Sequence, residues 1–187
     1  EYASNSQIDH IYYDNNGIKT DFNIYAKGLY QFNEDLTVYA DLQHRQIDYS
    51  FLGKDENGAE LNDTVNFEFF NPKFGAFYQI DNKNSAFASF AIANREPNRS
   101  DFVDSSPNSR PNHETMYDTE VGYKIEGSNF AFSATAYYMI YENQLILTGK
   151  INDVGAYTRE NVDYSERKGV ELEAGIKISP KWTWTTN

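Results

Sequence analysis

Apolar and polar residues alternate along most of this chain with a period of two, the spacing that places successive strand side chains on opposite faces. The clearest example is residues 117–141. Tyr117, Thr119, Val121, Tyr123 and Ile125 share one parity, against Asp118, Glu120, Gly122 and Lys124. After Glu126-Gly127-Ser128-Asn129 a second run sets Phe130, Phe132, Ala134, Ala136, Tyr138 and Ile140 against Ala131, Ser133, Thr135, Tyr137, Met139 and Tyr141. This is a long hairpin with one apolar face and one polar or small-residue face, and its strands exceed the usual length in soluble sheets.

The same unit recurs. Residues 20–32 alternate with Phe22, Ile24, Ala26, Gly28, Tyr30 and Phe32 on one parity; residues 36–49 do so with Leu36, Val38, Ala40 and Leu42. Residues 67–80 follow with Phe74, Ala76, Tyr78 and Ile80, and Pro72 there predicts a strand end or bulge. Residues 85–94 are apolar or small on both parities. A seventh strand over 161–178 sets Val170, Leu172, Ala174, Ile176 and Ile178 against Gly169, Glu171, Glu173, Gly175 and Lys177, and an eighth begins at Trp182. Residues 1–19 are polar, with Asp14-Asn15-Asn16-Gly17 as turn material.

Connections alternate in length. Short ones fall at 33–35, 81–84, 126–129 and 179–181; long ones at 53–64, 95–113 and 143–160. In an antiparallel up-and-down meander this gathers the short turns at one rim and the long loops at the other. Transmembrane β-barrels have that asymmetry, together with alternating segments of about 10 residues and aromatic girdles. A soluble sandwich or small barrel alternates too. The expected fold is therefore all-β, a meander of about eight strands forming part of a transmembrane β-barrel, with the Phe130-to-Tyr138 parity facing lipid.

Composition narrows the partners. Mean hydropathy is only -0.71, yet 15 Tyr and 13 Phe are present, an aromatic load that argues against disorder. The formal charge of -12 disfavours nucleic acid, which needs clustered Lys and Arg. No apolar run approaches the ~20 residues of a membrane-crossing helix. The absence of cysteine excludes disulfides and thiolate metal sites. His10, His44 and His113 lack metal-ligand spacing, so no metal site and no cofactor are expected. The segment Asp55-Glu56-Asn57-Gly58 lacks the register of a calcium loop and reads as a polar loop. No G-x-S-x-G, phosphate-cradling loop or paired-carboxylate signature occurs, and an enzyme is not expected.

Several phrases resemble the C-terminal barrel of TonB-dependent outer-membrane receptors, especially those of Bacteroidetes. They are Asn94-Arg95-Glu96-Pro97-Asn98-Arg99-Ser100-Asp101 after the strand SAFASFAIA; Pro111-Asn112-His113-Glu114-Thr115 with Tyr117, Glu120 and Gly122; the run from Ala136 to Leu145; and Gly169-Val170-Glu171-Leu172-Glu173-Ala174. Residues 67–187 carry the resemblance most clearly. It implies an outer-membrane barrel of about 22 strands around a plug, importing siderophores, cobalamin or another scarce small-molecule or metal-chelate ligand. Its partners would be outer-membrane lipid and the TonB complex. With about eight strands and no plug, residues 1–187 are expected to be one section of that barrel, TonB contact belonging to an N-terminal region outside it. A soluble secreted β-sandwich binding module, with its aromatics as a carbohydrate platform, and a small self-contained outer-membrane barrel are the alternatives.

Candidate site residues follow. Arg95, Asn98, Arg99, Asp101, Arg110 and His113 cluster in a loop of the kind that meets an extracellular ligand, or else form an ion-paired rim that fixes the loop, as Pro97, Pro107 and Pro111 would favour. Glu120, Glu171 and Glu173 fall on the polar parity and are expected to face the lumen.

Overall fold

The computed structural model describes residues 14–54, 62–103, 110–151 and 157–187. His10, Asp55, Glu56, Asn57, Gly58, Pro107 and the turn material at 152–156 lie outside these. Eight strands form one antiparallel sheet in sequence order: β1 (Asp14–Gln31), β2 (Leu36–Lys54), β3 (Asp63–Gln79), β4 (Asn84–Arg95), β5 (Glu114–Glu126), β6 (Phe130–Ile151), β7 (Tyr157–Ser179) and β8 (Trp182–Thr186). A short helix, α1 (Arg99–Val103), interrupts the segment between β4 and β5. The sheet is single, so the two packed layers of a sandwich are absent from the described residues. β1 and β8 do not pair with each other, which leaves it open.

The short turns are built by side chains that take over backbone donors. Asn33 Oδ1 accepts the N–H groups of Asp35 and Leu36 at 2.9 and 2.7 Å. Asp81 does the same for Lys83 and Asn84 at 2.7 and 2.9 Å. Such local bonds stabilise a reversal without help from the rest of the chain. The hydrogen bonds from Lys83 and Asn84 hold the Asp81 carboxyl below the usual carboxylate range.

Register carries each parity across the sheet. Tyr30, Val38, Ala76, Ala88, Val121, Ala136 and Val170 pair in succession from β1 to β7. All lie on one face, here the outer face, and Val170 is 64% exposed on it. The inner row beside it is Leu29, Tyr39, Gly75, Ser89, Glu120, Tyr137 and Gly169. On this inner face, glycines lie under rings from the neighbouring strand. A Cβ on Gly75 would stand 2.4 Å from Tyr39, one on Gly122 2.1 Å from Phe87, and one on Gly169 2.5 Å from Tyr137. Glycine inside a strand weakens it unless something packs on the exposed backbone, and here a ring does.

The strands run further than the pattern predicts at the loop rim. The expected turn at Asp14–Gly17 is strand: Gly17 pairs with Phe51, and its missing side chain makes room for the Tyr49 ring. The expected loop at 143–160 is mostly ladder, with Gln144 opposite Val162 and Leu147 opposite Arg159. Within its described part, Asn143 at φ 54° and Gly149 at φ 75° are absorbed as local kinks. Pro72 is neither a strand end nor a bulge in β3, for it pairs with Leu42 of β2. It does stand where the β3–β4 ladder stops, at Lys73 opposite Ala91, consistent with its lack of an N–H.

In the upper halves of β2 and β3 the apolar parity changes sides. Leu36, Val38, Ala40 and Leu42 point outward, but Ile47 and Phe51 point inward, opposite Phe67 and Asp63 of β3. Outside, the same stretch carries Gln46, Asp48 and Ser50 opposite Glu68, Asn66 and Thr64. The buried side chains Ile47, Phe51, Val65 and Phe69 belong to this upper, inner-facing region. They form the core of the mouth.

Candidate functional site

In segment 95–113, residues 95–103 and 110–113 cover that apolar patch. Phe102 of α1 sets its ring 5.2 Å from Phe51, and His113 packs against Phe67 and Phe69 at 6.1 and 5.4 Å. Pro97 and Pro111 are buried at its two ends. α1 starts at a half capping box: the Asp101 carboxylate accepts the Asn98 N–H at 2.8 Å, while Asn98 C=O accepts the Asp101 N–H at 3.1 Å.

Charge then ties the segment to distant strands. Glu96 accepts from Lys19 of β1 at 2.8 Å and from Arg45 of β2 at 3.0 Å, and Arg45 also holds Asp21 at 2.6 Å. Burial works against the charge on Glu96, but the hydrogen bonds from Lys19 and Arg45 outweigh it and keep its carboxyl below the usual carboxylate range. Arg99 bonds Asn15 of β1, and Arg110 pairs with Asp63 at 2.6 Å while lying over the Phe102 ring. At the other end Arg159 of β7 reaches Asp101 at 3.4 Å. Asn161 bonds both Asn112 and Asn143. The described residues of this segment, 95–103 and 110–113, thus form a strap across the inner mouth, anchored on β1–β3 at one side and on β7 at the other.

Of the residues singled out in the loop, Asn98, Arg99, Asp101, Arg110 and His113 all contribute contacts within this strap. Arg95 stands apart. It pairs with Glu114 across β4 and β5, but most of its side chain is exposed. Glu114 is itself nearly buried and accepts the Leu145 N–H at 3.2 Å. Glu120, Glu171 and Glu173 are all on the inner face, opposite Ser89, Thr135 and Ser133 respectively. Ser133 Oγ donates to Glu173 at 3.1 Å. The described residues hold no group of three His, Asp or Glu side chains arranged for a metal ion.

Four further residues matter to the site: Glu96, Arg167, Ile47 and Phe51. Glu96, the hub of the strap, stands inside the quoted motif but shows its partners only in space. The Arg167 guanidinium lies over the Tyr141 ring at 4.9 Å, and Arg167 lines one inner-face cavity with Arg95. Ile47 and Phe51 were readable, since their parity opposes that of Leu36 to Leu42.

The comparisons agree with this architecture. A family model described as TonB dependent receptor-like, beta-barrel matches residues 1–187. No curated protein matches the chain. Among solved structures the chain is similar to the FrpB iron transporter from Neisseria meningitidis (F3-3 variant), with 21% identity and a TM-score of 0.68 over 89% of this chain and 25% of that one. It is similar to the copper transporter OprC at 12% identity and a TM-score of 0.76, over 89% of this chain and 28% of that one. The ferric yersiniabactin uptake receptor FyuA from Yersinia pestis gives 16% and 0.66, over 93% and 27%. These likenesses concern the fold, and the chain spans about a quarter of the length of those structures. A family model that runs from the first residue to the last, over an open meander with an apolar outer face, places the chain in the TonB-dependent receptor β-barrel family.

Proposed function

We propose that residues 1–187 are a section of the barrel wall of an outer-membrane receptor. The receptor binds a scarce small molecule or metal chelate at its outer mouth and imports it with energy delivered through TonB. The observation that carries this reading is the outer face: one uninterrupted apolar row crosses seven strands, within a chain matched over its whole length by the family. Such a face suits lipid, and loops gathered at one rim suit ligand capture. The inner face, with Glu120, Glu171 and Glu173, then lines the lumen. Asn98, Arg99, Asp101, Arg110 and His113 shape the mouth by holding the strap, and Arg95 meets ligand. TonB contact falls to another part of the receptor. The role is transport and not catalysis, in keeping with the similar structures named as transporters and an uptake receptor.

The test is uptake by the complete receptor, expressed in cells lacking competing receptors and supplied with radiolabelled iron and copper chelates or cobalamin. Accumulation that disappears when TonB is deleted supports the reading. Passage that is indifferent to TonB, or a product recovered from the soluble fraction, overturns it.

A further inference from the structure

We infer that the inner-face cavity between β4, β5, β6 and β7 is a binding site for a small organic anion, held through its carboxylate by Arg167 with Arg95 beside it. The inference rests on the import reading in one respect only: it takes the inner face as the ligand's route.

The cavity measures about 320 Å³, the lower end of the range that holds small ligands. Adjacent registers assemble it. Arg95 lies opposite Glu114, Ala93 opposite Met116, and Met116 opposite Tyr141. Arg167 comes from β7, where Met139 is its partner. Four strands therefore contribute side chains to one small volume, just below the strap.

The two arginines differ in what they have left to give. Arg95 already shares its charge with Glu114, whose other oxygen is taken by the Leu145 N–H at 3.2 Å. Arg167 has no carboxylate or hydrogen-bond partner among the described residues; its contact is the face of Tyr141 at 4.9 Å. A guanidinium attracted to a ring face is held there by the ring quadrupole and still has N–H donors to offer. The planar fork then matches a carboxylate with two parallel bonds. The cavity lining itself carries two guanidinium groups, Arg95 and Arg167, against one carboxylate, Glu114, with Asp118 on the same face beyond Met139.

The rest of the lining selects against a bare inorganic ion. Ala93, Met116 and the Tyr141 ring offer apolar surface next to the charge. That combination suits an anion with a carbon body, either a free organic acid or the carboxylate arm of a metal chelate.

Calorimetric titration of the complete receptor in detergent micelles tests this, with benzoate and uncharged benzamide as matched probes. Citrate and its ferric complex separate a free acid from a chelate. Benzoate should bind and benzamide should not. Arg167→Gln should weaken benzoate by about tenfold or more, and Arg167→Lys by less, because a point charge keeps attraction but loses the fork. Arg95→Gln should weaken it more modestly, and added salt should weaken all three. Tighter binding of ferric citrate than of citrate assigns the chelate arm, and the reverse assigns the free acid. Equal binding of benzoate and benzamide, no binding of either, or an unchanged benzoate affinity in Arg167→Gln would overturn the inference. TonB-dependent uptake is read separately. Its failure would remove the import reading while leaving a positive titration intact, and the converse holds equally.

Discussion

β2 places its apolar side chains on opposite faces in its two halves. Below, Leu36, Val38, Ala40 and Leu42 point outward, where Val38 and Leu42 remain exposed. Above, Ile47 and Phe51 point inward and are 0% and 2% exposed. β3 follows it through an unbroken register, so no bulge or slip explains the change. On the proposed reading the lower half keeps its apolar residues for lipid and its polar ones for the interior, while the upper half stands above that band. There Ile47 and Phe51 are buried on the inner face, with Phe102 packed on Phe51. Strand parity thus reports which side lacks water at that height. It does not report which side is the interior of the barrel.

The largest expected effect comes from removing the surroundings of the lower half. Residues 1–187 produced alone should associate in detergent-free buffer, because the apolar outer face and the unpaired edges of β1 and β8 would meet water. Sedimentation velocity checks this, and a monomer independent of concentration would contradict the lipid-facing assignment.

Next comes the core of the mouth. In the complete receptor Phe51→Ala should cost about 3–5 kcal/mol of local stability, since it empties a packed site beneath Phe102. Hydrogen exchange of the strap and of upper β2 should rise while lower β2 stays protected. Uniform loss across both halves would mean they are not separate.

A charge tests the outer face. Val121→Arg should destabilise the receptor by about 2–4 kcal/mol if the row lies near the bilayer midplane. Asn66→Arg, on the same face above the band, should stay within about 0.5 kcal/mol. Equilibrium unfolding in lipid vesicles measures both. Equal costs would erase the boundary between the halves. Spin labels sharpen the same point: one at 132 should be reached by a lipid-phase relaxant, one at 131 by an aqueous relaxant.

The smallest effect concerns the strap's charge. Glu96→Gln should cost about 1–3 kcal/mol, the range for losing bonds to charged partners that are partly buried. The folded Glu96 carboxyl titrates below its unfolded value of about 4.3. Its contribution is therefore complete above that value and fades as pH falls through the depressed one. Protease cleavage in segment 95–113 should rise on acidification over that window in the wild type and not in Glu96→Gln.

Elements that depend only on neighbours along the chain were legible in the order of residues. Parity placed Tyr123, Phe132 and Leu172 on one face, and turn chemistry placed the reversals at Asn33, Asp81 and Gly127. Each rests on a two-residue repeat, on a side chain bonding its own turn at Asn33 and Asp81, or on a backbone bond across the turn at Gly127. The same alternation puts Glu120, Glu171 and Glu173 together on the opposite parity. Tertiary structure alone decided the upper strands and the mouth. Asp14–Gly17 and 143–151 carry turn residues, yet pairing with Leu52, Phe51 and Val162 draws them into the ladder. Glu96 finds Lys19 and Arg45 at separations of 77 and 51 residues, and Arg167 meets the Arg95 cavity only after four strands are in register. Local patterns fix a strand's faces, but contacts so distant in sequence exist only once the whole sheet has set its order and stagger.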